Sequence, residues 1–186
     1  MIIVVGLGNP EKKYDNTYHN VGFKAVDYFA ESNGIAFKKT KYNALMGEGM
    51  IAGEKVMVLK PLTYMNLSGT SVVQAVNQLK LPLNRLIVVY DDADIACGSL
   101  RFRKQGSAGT HNGMRNIVEV LASTQFPRLR VGIGKDDRMP IVDYVLSKIN
   151  KENMEKIENC LPKINGMLKE FISKKGNVDN IDANNF

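Results

Sequence analysis

The sequence predicts an α/β fold, a single domain on a mixed β-sheet, and three observations carry this. Short apolar or β-branched runs alternate along the chain with apolar stripes at helical spacing, as strands and helices stacked in layers do. Two apolar stretches flank Ala52-Gly53 and read as a hairpin, which adds antiparallel pairs to an otherwise parallel sheet. The length of 186 residues suits one full core and is short for two.

The elements follow in order. Ile2–Val5 is an unbroken β-branched run, a buried strand. From Asn20, residues Val26, Phe29 and Ala30 fit one helix, which stops near Gly34. Ala44–Met50 and Lys55–Leu59 are the hairpin arms. Val72, Val73, Val76 and Leu79 mark a second helix, and Leu86–Val89 is a second continuous apolar strand. Leu100-Arg101-Phe102-Arg103 alternates as a half-exposed strand does. Met114, Ile117, Val118 and Leu121 predict a helix, and Leu129–Ile133 a strand. Met154, Ile157, Leu161, Ile164, Leu168 and Phe171 step along one last helix face, with Pro162 predicting a kink or break. Lys174–Phe186 is rich in Asn and Asp and is expected to be poorly ordered, leaving 1–173 as the domain.

Composition narrows the function classes. The longest apolar runs fall far below the roughly 18 residues of a membrane span. Met1–Val5 lacks the basic start and long apolar stretch of an export signal, so a cytoplasmic location is expected. Two cysteines, Cys97 and Cys160, make no disulfide framework. The net charge of +6 favours a polyanionic partner, nucleic acid above all.

Polar motifs follow the strand-like runs: Gly6-Leu7-Gly8-Asn9-Pro10, Lys60 to Asn66, and Asp91-Asp92-Ala93-Asp94. In an α/β sheet such segments converge at the carboxyl edge, where ligands bind. The Gly6–Gly8 pair does not extend to a dinucleotide fingerprint, because Glu11 stands where a third glycine belongs. It reads instead as a tight turn presenting Asn9. The two histidines, His19 and His111, both lie in Asn-containing loops just before helices. A helix N-terminus lowers a histidine's pKa and favours the neutral base, with Asp91 or Asp94 as the orienting partner. The plainer alternative is that each histidine caps a helix or fills the core. Neither shows a metal-ligand spacing, and no Gly-x-Ser-x-Gly surrounds Ser68, Ser99 or Ser107. Cys97 is either a thiol nucleophile or a small buried hydrophobe. A hydrolase built from these parts activates water through histidine. Arg101 and Arg103 share one strand face, as do Arg128 and Arg130, giving either a phosphate clamp or a solvated face. Gly106–Gly113 suits a lid or backbone contacts. Asn9, Asn66 and Asn112 suit an uncharged amide or ester, or else are turn residues.

Val5-Gly6-Leu7-Gly8-Asn9-Pro10, Tyr14, Thr17-Tyr18-His19-Asn20-Val21-Gly22, Lys60 to Gly69, Asp91-Asp92-Ala93-Asp94, Gly106–Gly113 and Arg128 to Gly134 together resemble the bacterial peptidyl-tRNA hydrolase family, in order, to about residue 150. The resemblance implies a single α/β domain whose twisted mixed sheet has helices on both faces. It implies a monomeric esterase that splits a peptide from the 3′-terminal ribose of tRNA, with no cofactor and no metal. Carried over by motif, His19 is the catalytic base and Asp91 its partner. Asn9, Tyr14, Tyr64, Met65, Asn66 and Asn112 shape the substrate site. Arg103 and Arg130 grip the tRNA 5′ phosphate, and His111 is auxiliary. Two departures stand out: Tyr18 where arginine is common, and Thr110 where glycine is common.

Overall fold

A computed structural model of the chain describes residues 1–178 and Ile181. The apolar runs become the centre of a seven-stranded sheet in the order β2-β3-β4-β1-β5-β7-β6. These strands are β1 (Ile2–Gly6), β2 (Phe37–Lys41), β3 (Ala44–Ile51), β4 (Glu54–Pro61), β5 (Leu86–Asp92), β6 (Leu100–Arg103) and β7 (Arg128–Gly132). β1 pairs in parallel with β4 and β5, and β5 with β7, so four central strands run one way. The outer pairs β2–β3, β3–β4 and β6–β7 are antiparallel, which makes the sheet mixed.

Alternation along the strands sorts side chains onto two faces. Ile2, Val4, Ile87 and Val89 face α1 (Val21–Ser32) and α5 (Lys151–Ser173). Ile3, Val5, Leu86 and Val88 face α2 (Ser68–Gln78) and α3 (Asn112–Leu121). The strands are buried on both sides, which is why β1 and β5 read as continuous apolar runs.

The structure differs from the sequence reading in four places. The edge strand β2 escaped notice because its Phe-Lys-Lys-Thr-Lys sequence is exposed and basic, as edge strands that resist further pairing are. A short helix α4 (Ile141–Leu146) also went unread. α5 runs unbroken through Pro162. Pro162 lies on the exposed side, so the carbonyl it leaves unpaired faces water, while eight buried residues hold the other side. Finally, Gly6 and Gly8 serve space rather than a turn. A Cβ at Gly6 would lie 2.4 Å from Gly22 O, and one at Gly8 would lie 2.5 Å from the Phe23 ring.

The expected disorder over 174–186 falls in part on 179, 180 and 182–186, which lie outside the described residues. Within the described part, Gly176 closes α5 by donating its N–H to Phe171 O, and Val178 and Ile181 lie against the core. Among the described residues no helix is long and apolar enough to cross a membrane.

Candidate active site

The four parallel strands end at one edge, and their following segments enclose a cleft of about 590 Å³. Asn9 comes from the loop after β1, Tyr64, Met65 and Asn66 from the loop after β4, and Asp91 and Asp92 from the end of β5. The 105–112 loop and one face of α4 complete the wall.

Asp91 is the centre of this cleft. Its carboxylate is 2% exposed, and each oxygen accepts one imidazole N–H. His19 Nδ1 lies 2.9 Å from Oδ2, and His111 Nε2 lies 2.9 Å from Oδ1. The ring centroids of the two histidines are 4.8 Å apart. The proton positions follow from the partners. An ionised carboxylate only accepts, so His19 carries its proton on Nδ1 and keeps a lone pair on Nε2. His111 caps α3, its Nδ1 accepting the Met114 N–H at 3.2 Å. That bond requires a bare Nδ1, so His111 is neutral with its one proton on Nε2.

Charge agrees with this arrangement. Burial opposes ionisation of Asp91, but His19 and His111 outweigh it and hold the carboxyl well below the usual carboxylate range. Burial also disfavours the His19 imidazolium, yet the Asp91 carboxylate prevails and raises its pKa above the ordinary histidine value. This corrects the sequence-based expectation of a lowered pKa. The carboxylate touches the ring, whereas a helix end offers only partial charge. The choice between Asp91 and Asp94 also closes: Asp94 takes no part, and its N–H binds Asp92 Oδ1 in a local turn.

The three ligand atoms of His19, Asp91 and His111 lie within 4.8 Å of one another, in outline a metal-ligand set. The hydrogen bonds disfavour that use. An ion on His111 Nε2 would displace the proton donated to Asp91 and move it to Nδ1, against the Met114 N–H.

Asn9 is fixed from two sides. Its backbone exchanges hydrogen bonds with the Asn20 side chain, N–H to Oδ1 at 2.9 Å and Nδ2 to O at 3.0 Å. Its Oδ1 accepts the Met65 N–H at 2.9 Å, which leaves Nδ2 to donate. Gly22 lets α1 approach this loop, since a Cβ there would sit 2.5 Å from Leu7 O and Val89 O. Met65 is buried, while Asn66 and Asn112 are exposed in the lining. Tyr14 lines the cleft, and Tyr64 donates to Glu11 at 2.6 Å across the rim.

The arginines divide. In the β6–β7 register Arg101 faces Arg130 and Arg103 faces Arg128, which sets all four on one face. Arg128 is nonetheless 1% exposed and donates to the carbonyls of Ser107, Thr124 and Phe126. It therefore braces the 105–112 loop and does not form half of a clamp. Arg130 Nε donates to Asp92 at 2.6 Å, and Arg130 lines the cleft. Arg103 is exposed in the lining, with one nitrogen on Phe102 O.

Cys97 is half-buried, and burial pushes its thiol pKa up, which favours the inert reading over a nucleophile. The apolar wall of Ile141, Val142, Val145 and Leu146 was missed in the sequence. Their i, i+1, i+4, i+5 spacing behind Pro140 is one helical face, but over six residues that spacing does not stand out from chance.

Comparison with known proteins places the chain in a family. A sequence profile of the family described as "Peptidyl-tRNA hydrolase" matches residues 3–185. Peptidyl-tRNA hydrolases of Alkaliphilus oremlandii and Carboxydothermus hydrogenoformans are 47% and 50% identical to it, over 93% and 87% of this chain and 96% and 86% of theirs. The crystal structure of the Acinetobacter baumannii peptidyl-tRNA hydrolase superposes with a TM-score of 0.88 at 32% identity, covering 94% of this chain and 89% of that one. With a profile match over nearly its whole length and relatives close to half identical, this chain belongs to the peptidyl-tRNA hydrolase family.

Proposed function

We propose that this chain hydrolyses the ester between a peptide and the 3′-terminal ribose of tRNA, with His19 as general base and Asp91 as its orienting partner. The observation that carries the reading is the 2.9 Å His19–Asp91 bond at the cleft, which leaves Nε2 as the acceptor. A water molecule gives its proton to His19 Nε2 as its oxygen attacks the ester carbonyl. Asp91 stabilises the imidazolium that forms. Asn9 Nδ2 is a donor for the developing oxyanion, and Asn66 a second candidate. The intermediate collapses, the carbon–ribose oxygen bond breaks, and the imidazolium proton passes to the leaving alkoxide. The products are a peptide carboxylate and tRNA with a free 3′-terminal hydroxyl.

Tyr14, Tyr64, Met65, Asn66 and Asn112 line the path of the peptide, and His111 supports Asp91. Arg103 and the terminal nitrogens of Arg130 hold the 5′ phosphate. An uncharged lining of amides beside the ester favours a peptide bond over a free α-ammonium, which would lose hydration there without gaining a partner. On this reading the working form is a cytoplasmic monomer without metal, and turnover is expected to persist in excess chelator.

The test is hydrolysis of N-acetyl-aminoacyl-tRNA by wild type and by His19→Ala. The substitution is expected to cut turnover by about 10²–10⁴, the usual size of a general-base contribution. Wild-type turnover in that variant ends the proposal.

A further inference from the structure

Tyr18 occupies the position directly before His19, and it points away from the chemistry. Its side chain is 2% exposed and is absent from the cleft lining. Its ring stacks on that of Tyr144, with centroids 4.4 Å apart and planes 20° from parallel. Its hydroxyl accepts a hydrogen bond from Asn153 Nδ2 at 2.7 Å, at the start of α5. Tyr144 is the one buried residue of α4, and its hydroxyl donates to Ile133 O at 2.7 Å.

α4 therefore has two unlike sides. One side presents Ile141, Val142, Val145 and Leu146 to the cleft. The other carries Tyr144, the buried ring of α4, which lies on the neighbour of His19, while Val145 also packs against the core. The chain on either side is laced to match. Tyr18 N–H donates to Ser147 O, Ile149 N–H donates to Asn16 O, and Thr17 bridges Lys148. Lys148 Nζ reaches the carbonyls of Lys13 and Asp15. The segment ending in His19 and the segment leaving α4 are thus tied together by backbone and side-chain hydrogen bonds.

We propose that the Tyr18–Tyr144 stack is the positioning element of the site, through which α4, the apolar wall for the peptide, sets the orientation of His19. The inference rests on the reading of His19 as the base and adds Tyr18 and Tyr144 as positioning residues. A peptide pressed against α4 steadies the stack and with it the imidazole, so the effect appears in kcat.

The test uses Tyr144→Leu and Tyr144→Phe in the full chain. With two histidines in the sequence, the imidazole NMR signals of His19 and His111 are separable and need no substrate. In Tyr144→Leu the His19 titration is expected to move toward the ordinary histidine value, as its contact with Asp91 loosens. Turnover of N-acetyl-aminoacyl-tRNA is expected to fall about tenfold with KM within about twofold, the mark of misplacement and not of lost binding. Tyr144→Phe keeps the stack and is expected to restore both readouts. A folded Tyr144→Leu with wild-type His19 signals overturns the proposal, and so does a change confined to KM. Tyr144→Met, which fills similar space without a flat face, replaces Leu if that variant does not fold. Failure of the underlying reading looks different: His19→Ala would retain turnover, while the substrate-free NMR result would stand.

Discussion

The buried Asp91 centre and the arginine ribbon of β6 and β7 face the same cleft and are built on opposite terms. At Asp91 both oxygens are engaged, both histidines are about nine-tenths buried, and each proton has one place to go. On the ribbon, Arg103 is exposed and Arg130 is 25% exposed and already shared with Asp92. The first region is over-determined, as a reaction step needs. The second is more open to solvent and more screened, as the proposed phosphate contact, which must form and release, needs. Substitutions in the two regions should therefore fall on different kinetic constants.

The sharpest break of this contrast is Asp91→Asn. The amide removes the anion that fixes His19 Nδ1–H and supports the imidazolium, so kcat is expected to drop by about 10³–10⁴ with little change in KM. Near wild-type kcat in steady-state hydrolysis would show that the buried centre does not orient the base.

Next in size is a stability effect within the ribbon. Arg128→Met leaves the carbonyls of Ser107, Thr124 and Phe126 without their buried donor. A loss of about 2–3 kcal/mol in denaturant unfolding is expected. An unchanged midpoint would return Arg128 to the solvated arginines.

His111→Ala tests whether the auxiliary histidine belongs to the buried centre. It removes one of two donors to Asp91, which is worth about 1–2 kcal/mol, or roughly tenfold in kcat. The pH profile carries the sign. Because Asp91 raises the His19 pKa, kcat/KM in wild type is expected to rise with pH, with its midpoint above the ordinary value of about 6.5. In His111→Ala the carboxylate has a single partner, so the midpoint should move further up. A midpoint that falls would place His111 outside the charge balance of Asp91.

The sequence shows these regions unequally, for physical reasons. The strands that position Asp91 and Asn9 are buried on both faces, so their apolar runs were plain in Ile2–Val5 and Leu86–Val89. His19 and Asp91 stood out by motif. Which aspartate meets which ring depends on tertiary distance, and 72 residues separate His19 from Asp91. The same holds for Arg128, whose burial comes from carbonyls on other segments and leaves no mark in local spacing. β2 and α4 were missed because one is basic and solvent-facing and the other has six residues, too few for a periodic signal to rise above chance. Pro162 argued for a break, and tertiary packing of α5 overrode it.

The smallest effects expected come from the exposed end of the contrast, and they separate Arg103 from Arg130. Arg103→Ala removes an exposed surface charge, so KM should rise about fivefold, equivalent to about 1 kcal/mol. The slope of log KM against log salt should fall by about one phosphate contact. Arg130→Ala alone would mislead, because it uncovers the Asp92 carboxylate beside the proposed phosphate position and adds repulsion to the lost attraction. Removing both partners in Asp92→Asn/Arg130→Ala isolates the net contribution. The pair is close to neutral as a unit, so the double variant should raise KM by only about twofold and leave the salt slope nearly unchanged. A rise equal to that of Arg103→Ala would mean that the phosphate draws Arg130 away from Asp92 on binding. The ribbon would then be less solvated in the complex than in the free protein, and its contrast with the Asp91 centre would narrow to one of timing.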